Sequence, residues 1–128
     1  TRTRFFCGFT NNNFATQLNN DLPAGQWFGF RWSTNVPEAT WKLVSSNGAA
    51  QTVWDSGIAI TQDNLITLEL RFVGGTAFDG YVSGVYAGTV NTNLPNAVVL
   101  APMTGLKNLA GAGTRLLDHA RTYGIADR

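Results

Sequence analysis

The sequence of 128 residues holds one cysteine, one methionine and one histidine. A single cysteine excludes an intrachain disulfide, and Cys7, set in Phe5-Phe6-Cys7-Gly8-Phe9, reads as a small buried hydrophobe. A zinc centre needs several His, Cys or carboxylate ligands at defined spacings. Cys7 and His119 are the only soft donors, and they fit none of those spacings. His119 is also the only base open to a Ser-His-Asp triad, and its neighbour Asp118 falls on the opposite face of a strand. It reads as a packed or edge residue.

Charge is scarce as well. Charged residues make up 13% of the chain, about half the usual share of about 25%. The nine basic residues scatter from Arg2 to Arg128 and the net charge is +1, so neither nucleic acid nor an anionic membrane surface meets an electrostatic footprint. No apolar run approaches the ~18 residues of a membrane span, and nothing reads as a signal peptide. The chain opens on Thr1 rather than Met. It is expected to be one domain over 1–128, the C-terminal part of a longer chain.

Paired carboxylates are also missing along the sequence. Glycoside hydrolysis uses two carboxyl groups about 5 to 9.5 Å apart, which on one strand would place acids two or four positions apart. None of the eight acids, of which only Glu38 and Glu69 are glutamates, shows that spacing. Gly74-Gly75 and Gly111-Ala112-Gly113 lack the Gly-Lys-Ser/Thr of a phosphate loop and read as turns. Asp63, Asp79 and Asn91 come nearest to a calcium set, but no compact oxygen-rich loop joins them. The expectation is a non-enzyme with no catalytic residues, no metal and no cofactor.

What the chain does have is aromatic and apolar residues in alternation. Apolar residues make up 44%, with eight Phe and four Trp. Over residues 3–9, Phe5, Cys7 and Phe9 share one face; over 26–33, Phe28, Phe30 and Trp32 share one face, with Trp27 and Arg31 on the other. Residues 41–45 set Trp41 and Leu43 against Lys42, and an Asn47-Gly48 turn leads to a return strand over 51–54. Residues 65–73 turn Ile66, Leu68, Leu70 and Phe72 inward, with Thr67, Glu69 and Arg71 outward. Runs 77–83 and 85–90 join through Gly84, and runs 98–106 and 114–123 complete about nine strands. That pattern predicts an all-β, two-sheet antiparallel jelly-roll β-sandwich. The one long loop, 10–25, is expected to be functional or mobile. Trp27, Trp54, Tyr81 and Tyr86 can face outward by alternation, and they are the candidate glycan-binding or interface residues.

The order of motifs carries a resemblance. Phe6-Cys7-Gly8-Phe9 leads to Trp27-Phe28-Gly29-Phe30-Arg31 and Trp41-Lys42-Leu43-Val44. Val53-Trp54-Asp55-Ser56-Gly57-Ile58 and Ile66-Thr67-Leu68-Glu69-Leu70-Arg71-Phe72 follow. Then come Tyr81-Val82-Ser83-Gly84-Val85-Tyr86, Asn93-Leu94-Pro95 and Arg115-Leu116-Leu117-Asp118-His119-Ala120. The series resembles jelly-roll modules of the concanavalin-like lectin and glucanase superfamily, in the non-catalytic form found in structural proteins of tailed bacteriophages.

The resemblance implies a virion structural module on the particle surface, as a head (capsid) decoration, fibre or tail component, or alternatively a lectin-like module that attaches to a cell-surface glycan. It implies other virion proteins as partners and a homo-oligomer, with a trimer favoured. The superfamily's catalytic acids have no counterparts here. The family's strand before residues 5–9 is also missing, so an open sheet edge is expected there, covered by upstream sequence or a neighbouring chain.

Overall fold

A computed structural model describes residues 2–61, 64–96 and 98–110. The expected strand over 114–123, with Asp118 and His119, lies outside the described residues, as does Asp63. Eight strands and one short helix are described: β1 (Arg2–Thr10), α1 (Phe14–Asn19), β2 (Gln26–Ser33), β3 (Thr40–Asn47), β4 (Gln51–Ala59), β5 (Leu68–Val73), β6 (Ala77–Val82), β7 (Val85–Val90) and β8 (Ala101–Ala110). They form a two-sheet antiparallel β-sandwich, one sheet ordered β4-β3-β2-β1-β8 and the other β5-β6-β7. Strand β4 continues five residues past the expected end at Trp54, while β5 and β8 each begin three residues later than the alternation predicts.

Turn chemistry sets the hairpins. Asn47 Oδ1 accepts from the backbone N–H of Ala49 and Ala50 at 2.9 and 2.8 Å, closing the loop between β3 and β4. Ser83 and Gly84 take φ of 48° and 79°, as a two-residue hairpin loop between β6 and β7 requires.

The expected inward faces meet between the sheets. Phe5, Phe28, Phe30, Trp41 and Leu43 from the larger sheet pack against Phe78, Val82, Ala87 and Val90 from the smaller one. Ile66, Leu68 and Leu70 join this core half-buried. Phe72 departs from expectation: its ring meets Phe28 edge-to-face at 4.8 Å, yet it stays 59% exposed at the end of β5.

Two expectations are corrected. The segment 10–25 is not a bare loop, since its middle forms α1, capped by Asn13, whose side chain accepts from Thr16 N. The helix buries Leu18 and Gln17 on the larger sheet. A second core of Phe6, Leu18, Trp27 and Val44 therefore lies on the outer side of that sheet. The open edge expected beside residues 5–9 is also absent, because β8 pairs with β1 over its whole length, from Arg2↔Ala110 to Thr10↔Ala101. A strand late in the sequence occupies the place assigned to one upstream. Among the described residues, no helix is long and apolar enough to cross a membrane.

Candidate functional site

The outer side of β5-β6-β7 gathers six polar and aromatic side chains. Alternation turns Leu68, Leu70, Phe78, Gly80 and Val82 toward the core, so Glu69, Arg71, Asp79 and Tyr81 point away from it. The register sets Glu69 beside Tyr81 and Arg71 beside Asp79. A bulge between Gly80 and Tyr81 then brings Tyr86 beside Tyr81 and Thr89 beside Asp79.

The face is held by its own contacts. Arg71 Nε donates to Glu69 Oε1 at 2.6 Å, and the guanidinium carbon lies 4.4 Å from the centre of the Tyr81 ring. This pairing holds the Glu69 carboxyl below its ordinary range and raises Arg71. Tyr81 and Tyr86 meet edge-to-face with centroids 5.7 Å apart. Thr89 Oγ1 donates to Asp79 Oδ1. That uses the one hydroxyl proton of Thr89, so the 2.6 Å contact with Tyr86 is a hydrogen bond given by the tyrosine. The relay Tyr86–Thr89–Asp79 fixes the Tyr86 ring while leaving it 56% exposed.

Of the four residues singled out from sequence, the structure brings Tyr81 and Tyr86 together. Trp27 is not available: its indole is 1% exposed, meets Phe6 edge-to-face and donates from Nε1 to Pro23 O at 3.0 Å. The sequence placed Trp27 on the correct side of β2, but α1 and the chain after it cover that side. Trp54 is 48% exposed, but it stands on β4 of the larger sheet and its indole lies against the inner side of the smaller one, away from the Tyr81–Tyr86 face. It pairs with the core residue Leu43, and its indole occupies the space that a Cβ on Gly88 would need.

Sequence reasoning missed four members of the face as site residues: Glu69, Arg71, Asp79 and Thr89. Thr89 has no signal of its own, and Glu69 and Asp79 become neighbours only across strands, where a search along one strand cannot see them. They stand at diagonal positions of the β5–β6 pair, a spacing of about 7 to 8 Å between backbones. That falls within glycosidase range, but the electrostatics run against general-acid chemistry. A general acid must hold its proton near neutral pH, whereas Arg71 pushes Glu69 the other way. Among the described residues, no group of three His, Cys, Asp or Glu side chains could hold a metal ion.

A second polar surface lies on the outer side of the larger sheet, as an open groove of about 510 Å³ lined by Asp21, Arg31, Glu38, Thr40, Lys42 and Asp55 among others. Its charges are spent internally. Arg4 pairs with Asp21, Arg31 with Glu38 and Lys42 with Asp55. These pairs tie loops to the sheet: Arg4 Nη1 also donates to Leu18 O at 2.7 Å, and Arg31 Nη1 to Asp21 O at 2.6 Å.

Burial would raise the Asp21 carboxyl, but hydrogen bonds from Arg4, Ser33 and Asn35, with the Arg4 charge, outweigh it and bring it to about 2 from 3.8. A carboxyl lowered by folding stabilises the fold above its unfolded value and loses that contribution as pH falls through the folded one. The midpoint of urea unfolding is therefore expected to drop between about pH 4 and pH 2, and Asp21→Asn to flatten that slope. An unchanged slope in the variant would remove Asp21 from the account.

No protein-family model, curated protein or solved structure matches the chain.

Proposed function

We propose that this domain is a non-enzymatic surface module and that the outer face of β5-β6-β7 is a carbohydrate-binding platform. The observation that carries the reading is the fixed group of Tyr86, Tyr81, Asp79, Thr89 and Arg71 on one exposed sheet face. Sugar rings present C–H faces that pack on aromatic rings, and hydroxyls that both donate and accept. Here an exposed ring adjoins a carboxylate with a second oxygen to accept, and a guanidinium with Nη groups to donate. Because the contacts exist within the protein itself, little side-chain freedom is lost on binding.

Binding is tested by NMR titration of the labelled domain with an oligosaccharide panel. Tyr86→Ala and Asp79→Ala are each expected to weaken association by about tenfold, roughly the effect of removing one central contact. Retained affinity in both variants would reject this face. The same preparations are expected to show no turnover of β-glucan or galactan. Sustained hydrolysis lost in Glu69→Gln or Asp79→Asn would overturn the non-enzyme reading.

A second reading is the particle setting that the motif order implies, with a homo-oligomer built from virion modules. Its support here is a set of apolar side chains open to solvent on the smaller sheet: Phe72, Val73 at 47% and Val85 at 58% exposed. Light scattering at micromolar concentration is expected to give a trimer. A stable monomer would reject it.

A further inference from the structure

We infer that the platform on β5-β6-β7 selects uncharged saccharides over acidic ones, and that Glu69 is the residue that sets this selectivity. The inference rests on the carbohydrate reading of that face and adds the chemical class of the ligand.

Among the described residues Arg71 is the one cation on the face, and two features remove it as an anion site. Its Nε is bonded to Glu69 Oε1 at 2.6 Å, which neutralises its charge. Its guanidinium also lies over the Tyr81 ring, 4.4 Å from the centre, so that ring is capped. The open ring is that of Tyr86, held in place through Thr89. A sugar seated on Tyr86 meets Thr89 and Asp79, whose carboxylate forms no ion pair among the described residues, since Arg71 beside it across the strands is engaged by Glu69. Among the described residues this face carries two carboxylates, Glu69 and Asp79, against one guanidinium. The excess charge is negative and lies beside the exposed ring. An uncharged pyranose meets acceptors and donors without a charge penalty, whereas a uronate brings a second anion toward Asp79. Like charges about 7 Å apart near water disfavour binding by about threefold at low ionic strength, and salt screens the effect.

The experiment titrates the labelled domain with neutral gluco- and galacto-oligosaccharides and with uronate oligomers of matched length, following the backbone amides of Tyr81, Tyr86 and Thr89. The expected result is saturable shifts of these amides with a neutral oligomer. The matched uronate should bind about threefold or more weakly at low salt, with the gap closing at about 0.5 M salt. Glu69→Gln frees the Arg71 charge, so the ratio of uronate to neutral affinity is expected to rise to one or above. Equal or tighter uronate binding by the parent would overturn the selectivity while leaving the carbohydrate reading in place. A ratio unmoved by Glu69→Gln would overturn the role of Glu69. If no oligosaccharide shifts these amides, or shifts gather instead around Arg31 and Lys42, the carbohydrate reading itself fails.

Discussion

Phe30→Ala is expected to lower the stability of the domain by about 3 to 5 kcal/mol, the range for removing a fully buried phenylalanine. The residue is 0% exposed and sits in the core between the two sheets. Its ring meets Trp41 edge-to-face at 6.3 Å. Across the sandwich, the Phe30 ring tip and the Leu43 methyls fill the space over Gly80, at 3.0 Å or less from where a Cβ on that glycine would stand. Truncation leaves a void between two sheets that hydrogen bonds hold in register, so collapse around it is limited. A domain holds only about 5 to 15 kcal/mol in total, so the loss is about a fifth or more of its margin. The check is urea or thermal unfolding beside Leu65→Ala. Leu65 is 86% exposed, and its truncation is expected to cost under about 0.5 kcal/mol. If Phe30→Ala melts with Leu65→Ala, the assignment of the inward face of β2 is wrong.

Much of the fold was legible because period-two alternation reports burial directly. The runs containing Phe28 and Phe30, Trp41 and Leu43, and Phe78 and Val82 set these side chains two positions or a multiple of two apart, and their inward faces form one core. What alternation cannot report is partner choice. Nothing local in the run 98–106 says that it pairs with the first strand rather than a later one, so the flank of β1 looked empty. Nor does alternation say what lies on the second face. In β1 and β2 both faces are apolar in part, Phe6 and Trp27 lying opposite Phe5 and Phe28. That signal marks a strand covered on both sides, and here α1 supplies the cover.

The same limit governs the candidate site. Tyr81 and Tyr86 were legible because a two-residue turn at Ser83-Gly84 returns the chain onto itself, making them neighbours within one hairpin. Arg71 and Glu69 required the β5–β6 register, and Asp79 with Thr89 required the bulge after Gly80. Trp54 shows the opposite failure. Its exposure is real, but it arises on β4, at the end of the larger sheet's strand order, where the indole rests on Gly88 of β7.

Gly8→Ala and Gly29→Ala are each expected to cost about 3 kcal/mol or more, at the upper end of what added bulk costs in a packed interior. The two glycines face each other across the β1–β2 pair. A Cβ on Gly8 would stand 2.1 Å from Phe28 O and 2.7 Å from Gly29 Cα; one on Gly29 would stand 2.4 Å from Cys7 O and 2.7 Å from Gly8 Cα. Every one of these neighbours is backbone, so no side chain can swing aside and the strands themselves must part. The register also sets the glycine pair between Phe6 and Trp27, whose rings meet at 6.5 Å on the outer side, while Phe5 and Phe28 face the inner core. Parting β1 from β2 therefore loosens both cores together. Gly74→Ala is the comparison: it has nothing within 4 Å but a φ of +58°, so its cost is the left-handed penalty alone, about 1 to 2 kcal/mol. Combining Gly8→Ala with Gly29→Ala is expected to cost less than the sum, since strands already parted for one methyl accept the second more easily. Urea unfolding of the four variants decides the matter. Costs at Gly8 and Gly29 no larger than at Gly74, or strictly additive ones, would mean that the close approach of β1 and β2 does not hold the sheet.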